Sequence, residues 1–148
     1  MEIERKFLLK NDDWRKKITQ SIRIKQGYIS TNPNHTVRIR ITDSKAFLTI
    51  KGKGSDISRP EYEYEIPIKD AEEIFELFCQ EANLEKTRHI VDFCNHRWEI
   101  DEFHKRHLGL IIAEVELKEE KEPLTLPEWI GQEVTGNSKY YNSNLVKA

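Results

Sequence analysis

Charged and bulky residues alternate with a period of two in one segment of this chain after another, and this constrains the fold more than any other feature. Val37-Arg38-Ile39-Arg40-Ile41 alternates basic with β-branched residues. Glu61, Glu63 and Glu65 alternate with Tyr62, Tyr64 and Ile66, Lys86 and Arg88 with Thr87 and His89, and Arg97, Glu99 and Asp101 with Trp98 and Ile100. Successive side chains of an extended strand point to opposite faces, so each segment gathers its charges on one side. Glu2, Glu4 and Lys6 share a face at the start, Lys51 follows Phe47 and Thr49 on another, and Ala113-Glu114-Val115-Glu116-Leu117 repeats the pattern late in the chain. A single strand of this kind is a solvated face with cross-strand ion pairs. A whole set of them asks for a different geometry.

The periodicity predicts strands near 2–9, 22–30, 36–42, 46–53, 61–67, 87–92, 97–103 and 110–118. Asp70 and Glu73 resemble a capping box, and Ile74, Leu77, Phe78 and Ala82 follow at helical spacing. Shorter helices are expected over Asn11 to Ile18 and Lys139 to Lys147, with turns at Thr31-Asn32-Pro33-Asn34 and Gly52-Lys53-Gly54-Ser55. The fold class is therefore α+β, a closed eight-stranded antiparallel β-barrel with a charged lumen and helices packed outside. Closing the sheet converts its charged face into an interior, and eight strands leave room for side chains or one small ligand. A dry lumen full of charge is prohibitively costly, so this one is wet and binds ions. Carboxylates suit hard cations such as Mg²⁺ or Mn²⁺, and Arg and Lys suit phosphate oxygens. A polyanion of several phosphates, bridged by metal to carboxylates, satisfies both sets.

The 148 residues suit one domain, 1–148, with no linker or repeat, and 37% hydrophobic content fits many half-polar strands. A net charge of −2 argues against a protein that coats nucleic acid or an anionic membrane, although 34% of residues are charged. No apolar run reaches membrane-spanning length and no secretory signal precedes the first strand, so a cytoplasmic setting is expected. Cys79 and Cys94 form no metal-type or CxxC spacing and are expected to be buried or inert. His104-Lys105-Arg106-His107 reads as a solvated loop, and Trp14, Trp98 and Trp129 read as core. Tyr28 packs at a strand end, with reach toward a leaving oxygen as the alternative.

Glu2-Ile3-Glu4-Arg5-Lys6 resembles the ExExK signature of the CYTH superfamily, the triphosphate tunnel metalloenzymes. The resemblance continues in order through Lys25-Gln26-Gly27-Tyr28, Val37-Arg38-Ile39-Arg40, Thr49-Ile50-Lys51, Ser58-Arg59-Pro60-Glu61-Tyr62-Glu63 and Glu85-Lys86-Thr87-Arg88, then Asp101, Glu114-Val115-Glu116 and Tyr140-Tyr141-Asn142. The short length resembles the compact bacterial branch. The resemblance implies an eight-stranded tunnel that cleaves a triphosphate with a divalent metal, Mg²⁺ or Mn²⁺. Implied metal ligands are Glu2, Glu4, Glu114 and Glu116, with Glu61, Glu63 and Asp101 as further carboxylates. Implied phosphate holders are Lys6, Lys25, Arg38, Arg40, Lys51 and Arg59, together with Lys86, Arg88 and, at one mouth, Lys139. Glu4, Glu63, Glu116 and Lys86 are implied to act in catalysis.

The expected reaction is hydrolysis of inorganic tripolyphosphate with release of phosphate, by a metal-activated or carboxylate-oriented water. No Ser/His/Asp or Cys/His constellation favours a covalent intermediate. The alternatives are a nucleoside or other organic triphosphatase, an adenylate cyclase of the same superfamily, and a non-catalytic triphosphate- or polyphosphate-binding module. The expected partner is a triphosphate-bearing small molecule, neither nucleic acid nor membrane, with the chain acting as a monomer or homodimer.

Overall fold

The structure is a computed structural model that describes residues 1–147. The chain forms ten strands among those residues: β1 (Glu2–Leu9), β2 (Gln20–Ser30), β3 (His35–Ile41), β4 (Ala46–Gly52), β5 (Ser58–Arg59), β6 (Glu61–Ile66), β7 (Asn83–Phe93), β8 (His96–Phe103), β9 (Ile111–Glu116) and β10 (Ile130–Glu133). The α-helices are α1 (Ile68–Phe78) and α2 (Asn142–Leu145), and short 3₁₀ turns occupy Asp13–Lys17, Lys105–His107 and Ser138–Tyr140. Every ladder is antiparallel. The sheet runs β10-β1-β9-β8-β7-β2-β3-β4-β6, and β5 pairs with β1 off this path.

Two features depart from the expected closed barrel of eight strands. There are ten strands, and among the described residues no ladder joins β6 to β1 or β10. The nearest approach to closure is β5, whose Ser58 and Arg59 pair with Ile3 and Glu2. Pro60 separates β5 from β6; its fixed φ and missing N–H interrupt the ladder there. β5 and β10 are too short for an alternating pattern to announce them.

The helices also begin differently. α1 starts at Ile68 behind Pro67, whose carbonyl accepts from Ala71 N at 3.0 Å, so Asp70 lies inside the first turn and caps nothing. Proline suits a helix start because its φ is already set and its missing N–H is not needed there. The expected helix over Asn11 to Ile18 is a 3₁₀ turn, and the one over Lys139 to Lys147 is a 3₁₀ turn followed by four-residue α2.

The sheet gathers most of its charge on its concave side and most of its apolar side chains on its convex side, β2 excepted, where Ile22, Ile24 and Tyr28 face inward and Arg23 and Lys25 outward. Phe7, Trp14, Trp98, Ile100, Val115 and Trp129 form the largest outer cluster, with Trp98 edge-on to Phe7 and Trp129 at 5.5 and 5.8 Å between centroids. Each such aromatic pair adds ~0.5–1.5 kcal/mol beyond area burial. A second cluster packs Ala71 of α1 on Ile39 and Ala46. A third, built from Tyr28, Leu84, Phe103, Ile112, Leu145 and Val146, brings inward-phase residues of four strands against α2. Burial here closes one end of the interior with apolar side chains. Of the two thiols, Cys79 is buried, and burial raises its pKa; Cys94 is exposed in the β7–β8 turn at φ 47°. Among the described residues no helix is long and apolar enough to cross a membrane.

Candidate active site

The concave face encloses a cavity of about 540 Å³. β1 and β9 supply Glu2, Glu4, Lys6, Glu114 and Glu116; β3 and β4 supply Arg38, Arg40, Thr49 and Lys51. Arg59, Glu61 and Glu63 come from β5 and β6, and Lys86, Arg88 and Glu99 from β7 and β8. The ladder registers explain the gathering: Glu4 faces Glu116, Lys6 faces Glu114, Thr49 faces Glu63 and Lys51 faces Glu61. Residues two apart on one strand and opposed across a ladder share a face, so alternation in sequence becomes a ring in space.

The ring is internally paired. Lys51 Nζ donates to Glu2 Oε1 and Oε2 at 2.8 and 3.0 Å and lies 3.5 Å from Glu61 Oε2. Arg59 Nε is 3.6 Å from Glu2 Oε1. Burial pushes the Glu2 carboxyl up, but Lys51 and Arg59 overcome this and hold it at about 2. Glu63 accepts from Thr49 Oγ1 at 2.7 Å and from Arg40 Nη2 at 3.2 Å.

Arg88 grips Asp101 with two parallel bonds, Nε to Oδ1 at 2.8 Å and Nη2 to Oδ2 at 2.9 Å, and reaches Glu99 through Nη1 at 3.1 Å. Lys86 Nζ completes this cluster, 2.8 Å from Asp101 Oδ2 and donating to Asn142 Oδ1 at 3.2 Å. Lys86 and Asp101 are essentially inaccessible, at 1% and 0%. Burial lowers Lys86 to about 8, although Asp101 opposes the shift. The paired cations win at Asp101, holding its carboxyl far below the usual range against burial.

Glu4 has no such compensation. Its nearest cation, Lys6 Nζ, is 3.9 Å away, and that ammonium is 3.7 Å from Glu114 as well. Burial, with Glu114 and Glu2 close by, pushes the Glu4 carboxyl up to about 8. Glu116 is raised for the same reasons, burial first and then Glu2 and Glu99. These carboxylates call for a cation that the chain does not supply. Hard oxygen donors fit Mg²⁺ or Mn²⁺ chemically. Among the described residues no three His, Cys, Asp or Glu side chains are grouped closely enough to hold a metal alone. The donor set therefore fits an ion shared with substrate oxygens, as Mg²⁺ is usually held by one or two carboxylates plus phosphates.

Three residues of the expected set stand apart. Lys25 is out of phase with Ile24, Gln26 and Tyr28, which face inward; its Nζ lies 4.2 Å from the Phe75 ring centroid beneath α1. Lys139 lies over Tyr140, 5.6 Å from its centroid, outside the cavity. Asp101 lies behind the wall, with both oxygens committed to Arg88 and Lys86. Conversely, Thr49, Glu99, Tyr141 and Asn142 line the cavity without having been assigned to it. The alternation already placed Thr49 and Glu99 in phase; Tyr141 and Asn142 sit in an irregular segment, where no periodicity signals direction. Tyr28 lines the cavity, and Gln26 Nε2 donates to its hydroxyl at 3.3 Å. His104 and His107 are outside, His104 beside Thr87 and His107 against Phe103.

Comparison with known proteins agrees with this geometry. Residues 1–147 match the CYTH domain. The chain is 45% identical over 146 residues to a protein of Acetivibrio thermocellus called inorganic triphosphatase, covering 99% of this chain and 93% of that one. It is 30% identical over 149 residues to an inorganic triphosphatase of Nitrosomonas europaea, covering 97% and 95%. Among solved structures, an inorganic triphosphatase superposes with a TM-score of 0.70 at 27% identity, covering 100% of this chain and 95% of that one. A protein of Pyrococcus horikoshii shares the fold alone, with a TM-score of 0.64 at 20% identity over 81% of each chain.

Proposed function

This chain belongs to the CYTH domain family, and from that premise we propose that it is a divalent-metal-dependent triphosphatase acting on inorganic tripolyphosphate and releasing phosphate. The observation that carries the reading is one cavity in which cations from β1, β3, β4, β5, β7 and β8 meet carboxylates from β1, β6, β8 and β9, two of which, Glu4 and Glu116, are pushed up by burial and by acidic neighbours. Simple anion binding needs the cations alone; the carboxylates answer to a metal and to water.

β5 and β6 act as one strand interrupted at Pro60, which makes the eight long segments the walls of a tunnel. Lys6, Arg38, Arg40, Lys51, Arg59 and Arg88 bind the phosphate oxygens, exchanging cavity carboxylate partners for the substrate while Arg88 keeps Asp101. Lys51 and Arg59 thereby release Glu2, and Arg40 releases Glu63. Glu2, Glu4, Glu114 and Glu116 would hold a Mg²⁺ or Mn²⁺ ion, with Glu61 and Glu63 available to a second ion or to water. When bound, such an ion neutralises phosphate charge and polarises the bond to be cut. Glu4 and Glu116 help orient water toward the terminal phosphorus, and Glu63, freed from Arg40, accepts its proton. The bond from that phosphorus to the bridging oxygen breaks, giving orthophosphate and pyrophosphate. Lys86, lowered to about 8 by burial, holds a proton at Nζ that can pass to the departing oxygen. Asp101 positions Arg88 and Lys86 and binds no metal; Lys25 and Lys139 take no direct part. The substrate is a cytoplasmic small molecule, and the chain works as one domain.

Product analysis on tripolyphosphate and ATP with Mg²⁺ or Mn²⁺ tests this reading. Orthophosphate with pyrophosphate from tripolyphosphate, faster than any release from ATP, is expected. Cyclic nucleotide with pyrophosphate from ATP marks a cyclase instead, and binding without products marks a sensor.

A further inference from the structure

The register of β2, β7 and β8 assembles on the outer face of the sheet three groups that lie far apart in the chain. Ser21 of β2 is opposite His89 of β7, and Ser21 Oγ lies 2.7 Å from His89 Nδ1. On β8, diagonal to His89, Glu102 places Oε1 3.0 Å from His89 Nε2, and Arg15 grips both oxygens of Glu102 at 3.3 Å. One assignment of protons satisfies every link. Nε2 carries the imidazole proton and donates it to Glu102, which leaves Nδ1 to accept from the Ser21 hydroxyl. The Arg15 guanidinium, helped by His89 and opposed by burial, holds the Glu102 carboxyl below the usual range, so the charge that orients the ring is present. His89 is 9% exposed, and its ring lies 5.4 Å from that of Trp14. Ser21, by contrast, is exposed at the rim of the cavity. There β2 runs past β3, whose pairing with it begins at Lys25, so among the described residues no strand flanks Ser21 on that side.

We propose that Ser21, His89 and Glu102 form a second active site, in which a nucleophilic serine cleaves small carboxylic esters independently of the triphosphate chemistry inside the cavity. A cross-strand pair needs only the first of these contacts; the second and third are what orient a base. The separations are those of an activated nucleophile, ~2.6–3.2 Å from hydroxyl to base and from base to orienting acid, with the two ring nitrogens used in the opposite order to the serine-protease triad. Ser21 Oγ bonds to the acyl carbon as its proton passes to His89 Nδ1. The bond from that carbon to the alkoxy oxygen then breaks, and the departing oxygen takes the proton from Nδ1. Water repeats the sequence on the acyl-serine, giving its proton to Nδ1 and thence to Ser21 Oγ, and the carboxylic acid is released. Arg23, two residues along β2 on the same face and 55% exposed, offers charge to the oxyanion. Spacing along the chain hides the set, because Ser21 and His89 are 68 residues apart and only the ladder brings them together.

Two probes of the full chain test the proposal: diisopropyl fluorophosphate read by peptide mass spectrometry, and 4-nitrophenyl acetate in excess chelator. A diisopropylphosphoryl group on Ser21, formed ~100-fold faster than on the urea-unfolded chain, is expected, together with steady 4-nitrophenol release. Both should be lost in Ser21→Ala, with tripolyphosphate hydrolysis unaltered, and labelling should fall to the unfolded rate in His89→Asn with its circular dichroism unchanged. No adduct on Ser21, an adduct without ester turnover, or 4-nitrophenol release that persists in Ser21→Ala overturns the proposal. Equal labelling of folded His89→Asn does the same, and loss of tripolyphosphate hydrolysis in Ser21→Ala overturns a separate site. If His89→Asn does not fold, Glu102→Gln decides: slower labelling of Ser21 upholds the site, and an unchanged rate overturns it.

Discussion

Glu4 and Asp101 are both enclosed carboxylates with opposite electrostatics, and the contrast defines their roles. Asp101 is held ionised by Arg88 and Lys86, whereas Glu4 is pushed up to about 8 by burial and by its acidic neighbours. A carboxyl raised from 4.5 to about 8 favours folding while protonated, and that contribution is lost as pH rises through about 8. In chelator, the wild type should therefore lose stability between about pH 4.5 and pH 8 and level off above, whereas Glu4→Gln shows a shallower slope, measured by urea unfolding at several pH values. The same variant should lower turnover by ~100-fold or more, the scale of removing one group that acts on transition-state charge, with the melting temperature preserved. Asp101→Asn should behave differently, destabilising the fold by ~3–5 kcal/mol because it strips buried Lys86 of its carboxylate partner and leaves Arg88 with Glu99 and the more distant Glu114 alone; a loss of less than ~1 kcal/mol would remove the buried cluster from the account. The alternating pattern made Glu2, Glu4, Arg38, Arg40, Glu114 and Glu116 legible in the sequence. It could not show that Asp101, in the same phase, has its oxygens already taken, nor where Tyr141 and Asn142 turn.

At the scale of elements, the long strands were legible where charged and apolar residues alternate, so the expected 22–30 and 87–92 fall within β2 and β7, while the ends of those eleven-residue strands, where the alternation lapses, were not read. β5 and β10, two and four residues long, carry too little pattern to be read. α1 was legible by its spacing, but its start was misplaced because Pro67 does the work expected of Asp70. The seat of α1 depends on Gly27 of β2, where an added Cβ would lie 2.5 Å from Cys79 Cβ and 2.8 Å from the Phe75 ring. Gly27→Ala should thus cost ~1–3 kcal/mol, the range for overpacking a tight contact, read from the urea midpoint. An unchanged midpoint would mean that α1 does not press on β2 as described.

Across the whole molecule, the usual arrangement of a small domain is inverted: charge lines the inside, and apolar residues cover the outside of the sheet beneath helices and loops. The inward alternation implied an enclosed charged space, but whether hydrogen bonds close it depends on Pro60 and the two residues of β5, which no periodicity encodes. In such a cavity most charges are paired but Glu4 and Glu116 are not fully compensated, a cost that a ligand of mixed chemistry, metal with polyphosphate, relieves. Tripolyphosphate with Mg²⁺ at ~100 times its dissociation constant should stabilise the Glu116→Gln variant by ~2.7 kcal/mol, visible as a raised melting temperature, and tripolyphosphate in chelator should give less. The central claim is that the cavity's cations and carboxylates act together, through a divalent metal, to cut a triphosphate. Phosphate release from tripolyphosphate by the wild type, with Mg²⁺, with Mn²⁺ and with excess chelator, tests it most directly. The account predicts rapid release with at least one of the metals and none above background in chelator; an undiminished rate in chelator, or tight binding with no release under any condition, would contradict it.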